Sequence, residues 1–208
     1  MAQATQEPQE TVRERNPRGE GARLRTELLD AAAELMAAHG SIDKVSVRAV
    51  AAAAGVSPTA VYRHFDNHAE LLWAAVNHCF EEFAAAMLDA RASTDDVYEQ
   101  LVRSGEAYVR FATEHTGKYR VMFSNRVELP PREEPVGTFA FEHLIDLIAS
   151  ILAARGDDRD PTFVAVQVWT WIHGMVDLIC SHTEVDWWPE LEPMLQELRT
   201  RLELTPPA

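Results

Sequence analysis

The chain has 208 residues, 47% of them hydrophobic and 25% charged, an ordinary globular composition long enough for one sizeable core or two small ones. Its 33 acidic against 19 basic residues leave a formal net charge of −14, so bulk affinity for polyanions is excluded and any nucleic-acid contact must come from a local basic surface. Two cysteines, Cys79 and Cys180, exclude a disulfide framework or a multi-cysteine metal centre and fit a reducing, cytoplasmic setting.

Residues 1–20 mix Glu, Gln, Arg and Pro without periodicity and with no apolar h-region, so they read as a disordered arm and not as a secretion signal. Helical spacing then runs to the end of the chain. Leu24, Leu28, Ala31, Ala32 and Leu35 follow the i, i+4, i+7 rule, and His39-Gly40 supplies a stop. Leu72, Val76, Cys79, Phe80, Phe83 and Met87 form a second stripe, and Val97, Leu101, Tyr108 and Phe111 a third. Glu128 to Pro135 holds three prolines within six positions, which predicts an irregular loop. Phe141, Leu144, Ile145, Ile148 and Ile151 make a fourth stripe ending at Arg155-Gly156. Pro161 to Val176 is the longest uncharged run, 16 residues, too short to span a bilayer; it reads as a buried helix, and no membrane partner is expected. Trp188, Leu191, Leu195, Leu198 and Leu202 form the fifth stripe. No stretch alternates as a half-buried strand must, so the predicted fold is all-α with about nine helices.

Val45 to Leu71 carries the most specific pattern. Ser46 is a plausible N-cap for a short helix whose Val47, Val50 and Ala51 face inward, and Gly55 permits the positive φ of a sharp turn. Ser57 then caps a second helix with Pro58 at its first position, and Val61 and Phe65, four apart, form the buried face. Asn67 with Glu70 makes a capping box for the next helix. This is a helix-turn-helix layout, whose second helix enters the DNA major groove. From Lys44 to His64 the only charged residues are Lys44, Arg48 and Arg63. Residues 1–75 hold 8 basic and 10 acidic side chains and the remainder 11 and 23, so the acidity is segregated away from this segment. A phosphate-binding surface on an acidic protein requires that segregation.

Ser46-Val-Arg48, Ala-Gly55-Val-Ser57 and Val61-Tyr-Arg-His-Phe65 resemble the N-terminal domain of the tetracycline-repressor (TetR) family of one-component regulators. That specific likeness covers about residues 24–72. Tyr119-Arg-Val-Met-Phe123 and Trp169-Thr-Trp-Ile-His173-Gly174 look like a subgroup whose C-terminal domain carries a Trp…His-Gly helix. The resemblance implies a DNA-binding head at about 21–68 and a ligand-binding and dimerisation body at 69–208. It implies DNA contacts from Lys44, Ser46, Arg48, Ser57, Pro58, Thr59, Tyr62, Arg63, His64 and His68, with Tyr62 and His64 reaching phosphates. It also implies an apolar effector cavity near Tyr119, Met122, Phe123, Phe139, His143, Trp169 and His173, with Gln167 a further candidate anchor. Dimerisation would run through the last two long helices, about 161–181 and 187–203, giving a palindromic operator. The family often places a Lys at the helix opening after Phe65; His68 stands there, which implies weaker or more pH-sensitive DNA binding. Arg13, Arg15 and Arg18 of the arm are available to a minor groove, although their interleaved glutamates favour a solvated tail.

Other chemistries find little support. Arg can grip guanine bidentately and a Thr can meet a base edge, but Pro58, Thr59 and Ala60 are small, so Arg48, Tyr62 and DNA shape are expected to carry much of the specificity. His64 and His68 are four apart, yet Asp66-Asn67 breaks the helix between them, so no metal is expected there. Cys79 on an apolar stripe reads as a small core residue rather than a redox sensor. The nine glycines make no nucleotide-binding loop, no G-x-S-x-G is present, and neither a cofactor nor a catalytic residue is expected. A helical ligand-binding protein whose head no longer grips DNA is the competing reading, and an all-α metalloenzyme a distant third.

Overall fold

The computed structural model describes residues 20–123, 135–182, 184 and 190–206. Among these the chain forms nine helices: α1 (Glu20–His39), α2 (Val47–Ala53), α3 (Pro58–Val61), α4 (His68–Arg91), α5 (Val97–Glu114), α6 (Thr116–Met122), α7 (Thr138–Arg155), α8 (Pro161–Ser181) and α9 (Leu191–Arg201). The all-α prediction holds. The N-terminal arm, the proline-rich loop up to Glu134, and Trp188 lie outside the described residues.

Helix ends follow the local chemistry. Gly40 and Gly156 stop α1 and α7 at φ +58° and +65°, left-handed values that a side chain would strain. Asp96 and Asp160 cap α5 and α8 by accepting backbone N–H bonds from Tyr98 and Thr162.

The apolar stripes assemble into two core clusters. The first begins in α1–α3 with Leu28, Ala32, Met36, Val50, Val61 and Phe65 and continues through Leu71 and Ala75 of α4 to Phe83, Tyr108 and Phe111. The guanidinium of Arg25 lies 5.2 Å from the centre of the Phe65 ring and covers it. The second cluster gathers Ile148, Ile151, Val164, Leu198 and Leu204 of α7, α8 and the C-terminal segment. Helix α4 therefore belongs to both halves: its first turns seal the head and the rest is core of the body.

Helix α6 also touches the head. A Cβ on Gly117 would sit 2.7 Å from the Cβ of Ala37 on α1, so only glycine permits this approach. Lys118 beside it bridges Glu82 of α4 at 3.0 Å and Glu34 of α1 at 3.5 Å. Burial opposes the charge on Lys118, but the hydrogen bond and charge of Glu82, with Glu34, outweigh it and hold its pKa above the ordinary lysine value.

Helix α8 corrects the sequence reading. It was expected to be buried, yet only one face is: Val164, Ala165, Val168, Ile172 and Val176 pack inward. Phe163 is 62% exposed, Leu178 48%, and Val166 stands out beside them. Gly174 has open space around it. The helix extends to Ser181, and by length and composition it is apolar enough to cross a membrane. In the fold it packs on α5 and α7.

Candidate DNA-binding face and ligand cavity

The head displays its polar residues by burying everything between them. Val47, Val50, Ala51, Val61 and Phe65 point inward, which leaves Lys44, Arg48, Pro58, Thr59, Tyr62 and Arg63 exposed and His64 half-buried. Tyr62 is 53% exposed despite its aromatic ring. Ser46 and Ser57 accept backbone N–H bonds from Ala49 and Ala60 at 3.2 and 3.3 Å, so both are N-caps whose hydroxyl protons stay free to donate outward. Gly55 turns the chain at φ +66°, and the Val56 N–H donates back to the Ala51 carbonyl at 2.9 Å. Helix α3 is one turn long; the Phe65 N–H still donates to the Val61 carbonyl at 3.1 Å, carrying helical geometry to the end of the motif. Among the described residues, no acidic side chain lies between Lys44 and His64 on this face.

His68 departs from its expected place. Its Nε2 lies 2.6 Å from the Val45 carbonyl, and a carbonyl can only accept, so that nitrogen carries the proton and donates. The ring ties the start of α4 to the segment before α2, and the nitrogen expected to reach DNA is committed within the head. Asn67 caps α4 through the Glu70 N–H at 2.9 Å, and the Glu70 carboxylate accepts the Asp66 N–H, one residue before the usual capping-box partner.

A cavity of about 600 Å³ lies in the body between the two core clusters. Phe80, Phe83 and Met87 of α4, Tyr108 of α5, Phe141 of α7 and Ile172 of α8 contribute to its apolar wall. Of the residues expected there, Met122, Phe123, His143, Trp169 and His173 line it. Tyr119 and Phe139 do not: Tyr119 stands behind His173, and Phe139 packs against the first core cluster on another face of α7 from Phe141. Gln167 lies exposed on the outside of α8 and is no anchor.

His173 joins the cavity to a buried phenol pair. Its Nδ1 is 2.9 Å from the Tyr108 hydroxyl and 2.8 Å from that of Tyr119, and the two hydroxyls are 3.2 Å apart. Burial pulls the His173 pKa below the ordinary histidine value, against the nearby charge of Asp177, and burial pushes both phenols up. All three groups are neutral at neutral pH. Nδ1 has one lone pair, so with one hydroxyl donating to it and the other bonding to that hydroxyl, the ring carries its proton on Nε2. Phe123 and Trp169 flank the imidazole with ring centroids 4.6 and 5.4 Å away.

Comparison with known proteins accounts for both halves. Residues 28–75 match the profile described as "Bacterial regulatory proteins, tetR family", and residues 101–198 match "Tetracyclin repressor-like, C-terminal domain". The chain belongs to the TetR family. An HTH-type transcriptional regulator of Haemophilus influenzae is 26% identical over 133 residues, 64% of this chain and 65% of the relative, just under two thirds of its length. One from Mycobacterium tuberculosis is 28% identical over 146 residues, 70% and 69% of the two chains. A TetR family regulator from Marinobacter aquaeolei superposes with a TM-score of 0.69 at 18% identity, covering 90% of this chain and 98% of that one, which shows a shared fold. The protein is a TetR-family helix-turn-helix transcriptional regulator, not an enzyme.

Several features of this TetR chain escaped the sequence reading. Arg91, Ser104, Thr138 and Arg199 line the cavity alongside the aromatics. Ser104 had a signal, since it falls on the stripe between Leu101 and Tyr108. The arginines had none, because their contacts are distant in sequence. Asp30, His78 and Glu82 gather with potential ligand atoms within 4.8 Å of one another. His78 Nε2 is hydrogen-bonded to Asp30 at 2.9 Å and Glu82 is paired with Lys118 at 3.0 Å, so the group is a polar network joining α1, α4 and α6. Cys79 is fully buried beside it, and burial pushes its thiol up to about 12, far from the thiolate a redox sensor needs.

Proposed function

We propose that this TetR regulator is a homodimeric repressor that leaves a palindromic operator when a small, largely apolar effector fills the body cavity. The carrying observation is that cavity and head share their helices. Phe80 and Phe83 of α4 line the cavity, while Leu71 of the same helix lies in the head core. Met122 of α6 also lines the cavity, while Gly117 at its other end abuts Ala37 of α1. An effector that displaces α4 or α6 therefore moves the head.

Lys44, Ser46, Arg48, Ser57, Pro58, Thr59, Tyr62, Arg63 and His64 form the DNA face of a head spanning about 21–68, with base discrimination centred on Arg48 and Tyr62. At the start of α4, where His68 is turned inward, backbone N–H groups rather than the imidazole meet a phosphate. The exposed Phe163, Val166 and Leu178 of α8, with the open space at Gly174, form with α9 the two-fold interface. Two heads then lie about one DNA turn apart, roughly 34–36 Å. Coupling in the usual range of about 1–3 kcal/mol would change operator affinity roughly 5- to 150-fold. Such a regulator works beside the chromosome, in the cytoplasm.

Sequencing the genomic fragments that the purified protein selects tests this reading. The expected outcome is an enriched inverted repeat, lost in the Leu178→Glu variant if that variant is monomeric. An enriched site without two-fold symmetry would exclude the dimeric arrangement.

A further inference from the structure

The described wall of the cavity carries two arginines and no acid. Among its described lining residues are Arg91, Arg199, His143 and His173, and no Asp or Glu, in a chain where acids outnumber bases 33 to 19. Elsewhere in the body Arg103 pairs with Glu99, Lys118 with Glu82, Arg159 with Asp157 and Arg201 with Glu197, while Arg120 and Arg155 donate to the carbonyls of Cys180 and Thr205. At the cavity wall Arg91 and Arg199 likewise donate to neutral oxygens. Arg91 reaches the His143 carbonyl at 3.1 Å, and Arg199 reaches the Tyr98 carbonyl at 3.3 Å and the Gln196 side-chain amide. The Nε of Arg199 is buried without an acceptor among the described residues. Ser104, 8% exposed, also lines the cavity, and its buried hydroxyl has no partner there. Buried donors and uncompensated charge are costly, and an anion that accepts from them removes that cost.

The topology puts the two arginines at one end. Helices α4 and α5 run antiparallel through the turn at 92–96; Arg91 closes the first and Arg199 is held at the opening of the second. Tyr108, with His173, Phe123 and Trp169 beside it, lies towards the opposite end, roughly 15 Å further along α5 from Tyr98 at 1.5 Å per residue, with Ser104 between. We infer that the effector is an amphipathic monocarboxylate, its carboxylate held by Arg91, Arg199 and Ser104 and its apolar chain laid against Phe83, Phe123 and Trp169. Charge-assisted, fork-shaped guanidinium donors suit a carboxylate, and the aromatic wall suits a medium-length alkyl chain. This assignment rests on the cavity being the effector site.

Calorimetric titration of the full-length protein with decanoate, 1-decanol and decylammonium, each below its aggregation threshold, tests it. Decanoate is expected to bind at least roughly tenfold tighter than decanol, with decylammonium weakest, and the two tighter probes should compete. In an Arg91→Gln, Arg199→Gln double variant, with helicity checked by circular dichroism, that preference should vanish while decanol binding stays. The Arg91→Lys, Arg199→Lys variant keeps both charges and should retain a preference for decanoate. Decanol binding as tightly as decanoate to the natural protein, or an undiminished preference in the folded glutamine variant, overturns the anionic assignment and leaves the cavity intact. If none of the three probes binds, the cavity reading falls and the assignment with it.

Discussion

The two halves of the chain use the same helical material for opposite ends. In the head, apolar residues are small and close-packed, Val50, Val61 and Phe65 are essentially inaccessible, and the polar groups stand outside on a surface fixed by two serine caps and one glycine turn. In the body the packing order is inverted: aromatic side chains surround about 600 Å³ of open volume, and Ser104, Arg91 and Arg199 are turned towards it. The lesson is that a rigid display surface and an adaptable cavity ask for different cores. The head gains by leaving no space, the body by leaving it.

That contrast gives the predictions their order. Phe65→Ala should have the largest effect, destabilising the head by about 3–5 kcal/mol as buried aromatic truncations do. DNA binding should disappear while decanoate or decanol still binds the body by calorimetry; loss of both would show that head and body melt as one unit. Arg48→Ala should cost about 1–3 kcal/mol of discrimination between the selected operator and single-base variants, measured by competition. If it weakens every sequence equally, Arg48 contacts phosphate and the specificity lies elsewhere. Ser57→Ala removes the cap of α3 and should cost about 1 kcal/mol in a denaturant titration, with a matching loss of operator affinity.

The smallest effect is a slope. Burial holds His173 below the ordinary histidine pKa, so as pH falls through about 6.5 the unfolded chain takes up a proton that the folded chain refuses. Stability conferred by the neutral ring is complete above that pH and declines towards the lower folded value. His173→Gln should flatten the pH dependence of unfolding there by less than about 1.4 kcal/mol per pH unit, the limit for one proton. An unchanged slope would place the sensitivity in another group.

How much was legible in the sequence divides along the same line. The head's devices are local: Ser46 and Ala49, Ser57 and Ala60, Asn67 and Glu70 are each three residues apart, so composition and spacing expose them. His68 was misplaced because its partner, Val45, lies 23 residues away. The body's polar contacts reach further still, 52 residues from Arg91 to His143 and 101 from Arg199 to Tyr98, and no periodicity reports them. Helix α8 misled for another reason. Residues packed into a core and residues left exposed on a helix can be equally apolar, so only the fold separates Val164 from Phe163.

The central claim is that the acid-free face of the head recognises one duplex sequence. Fluorescence anisotropy with the selected operator and a scrambled duplex, each titrated across a salt series, tests it most directly. The account requires tight binding to the operator with a steep salt slope, as counterion release from several phosphates demands, and far weaker binding to the scrambled duplex. Equal, weak affinity for both at low salt would contradict it and leave a helical ligand-binding protein whose head no longer reads DNA.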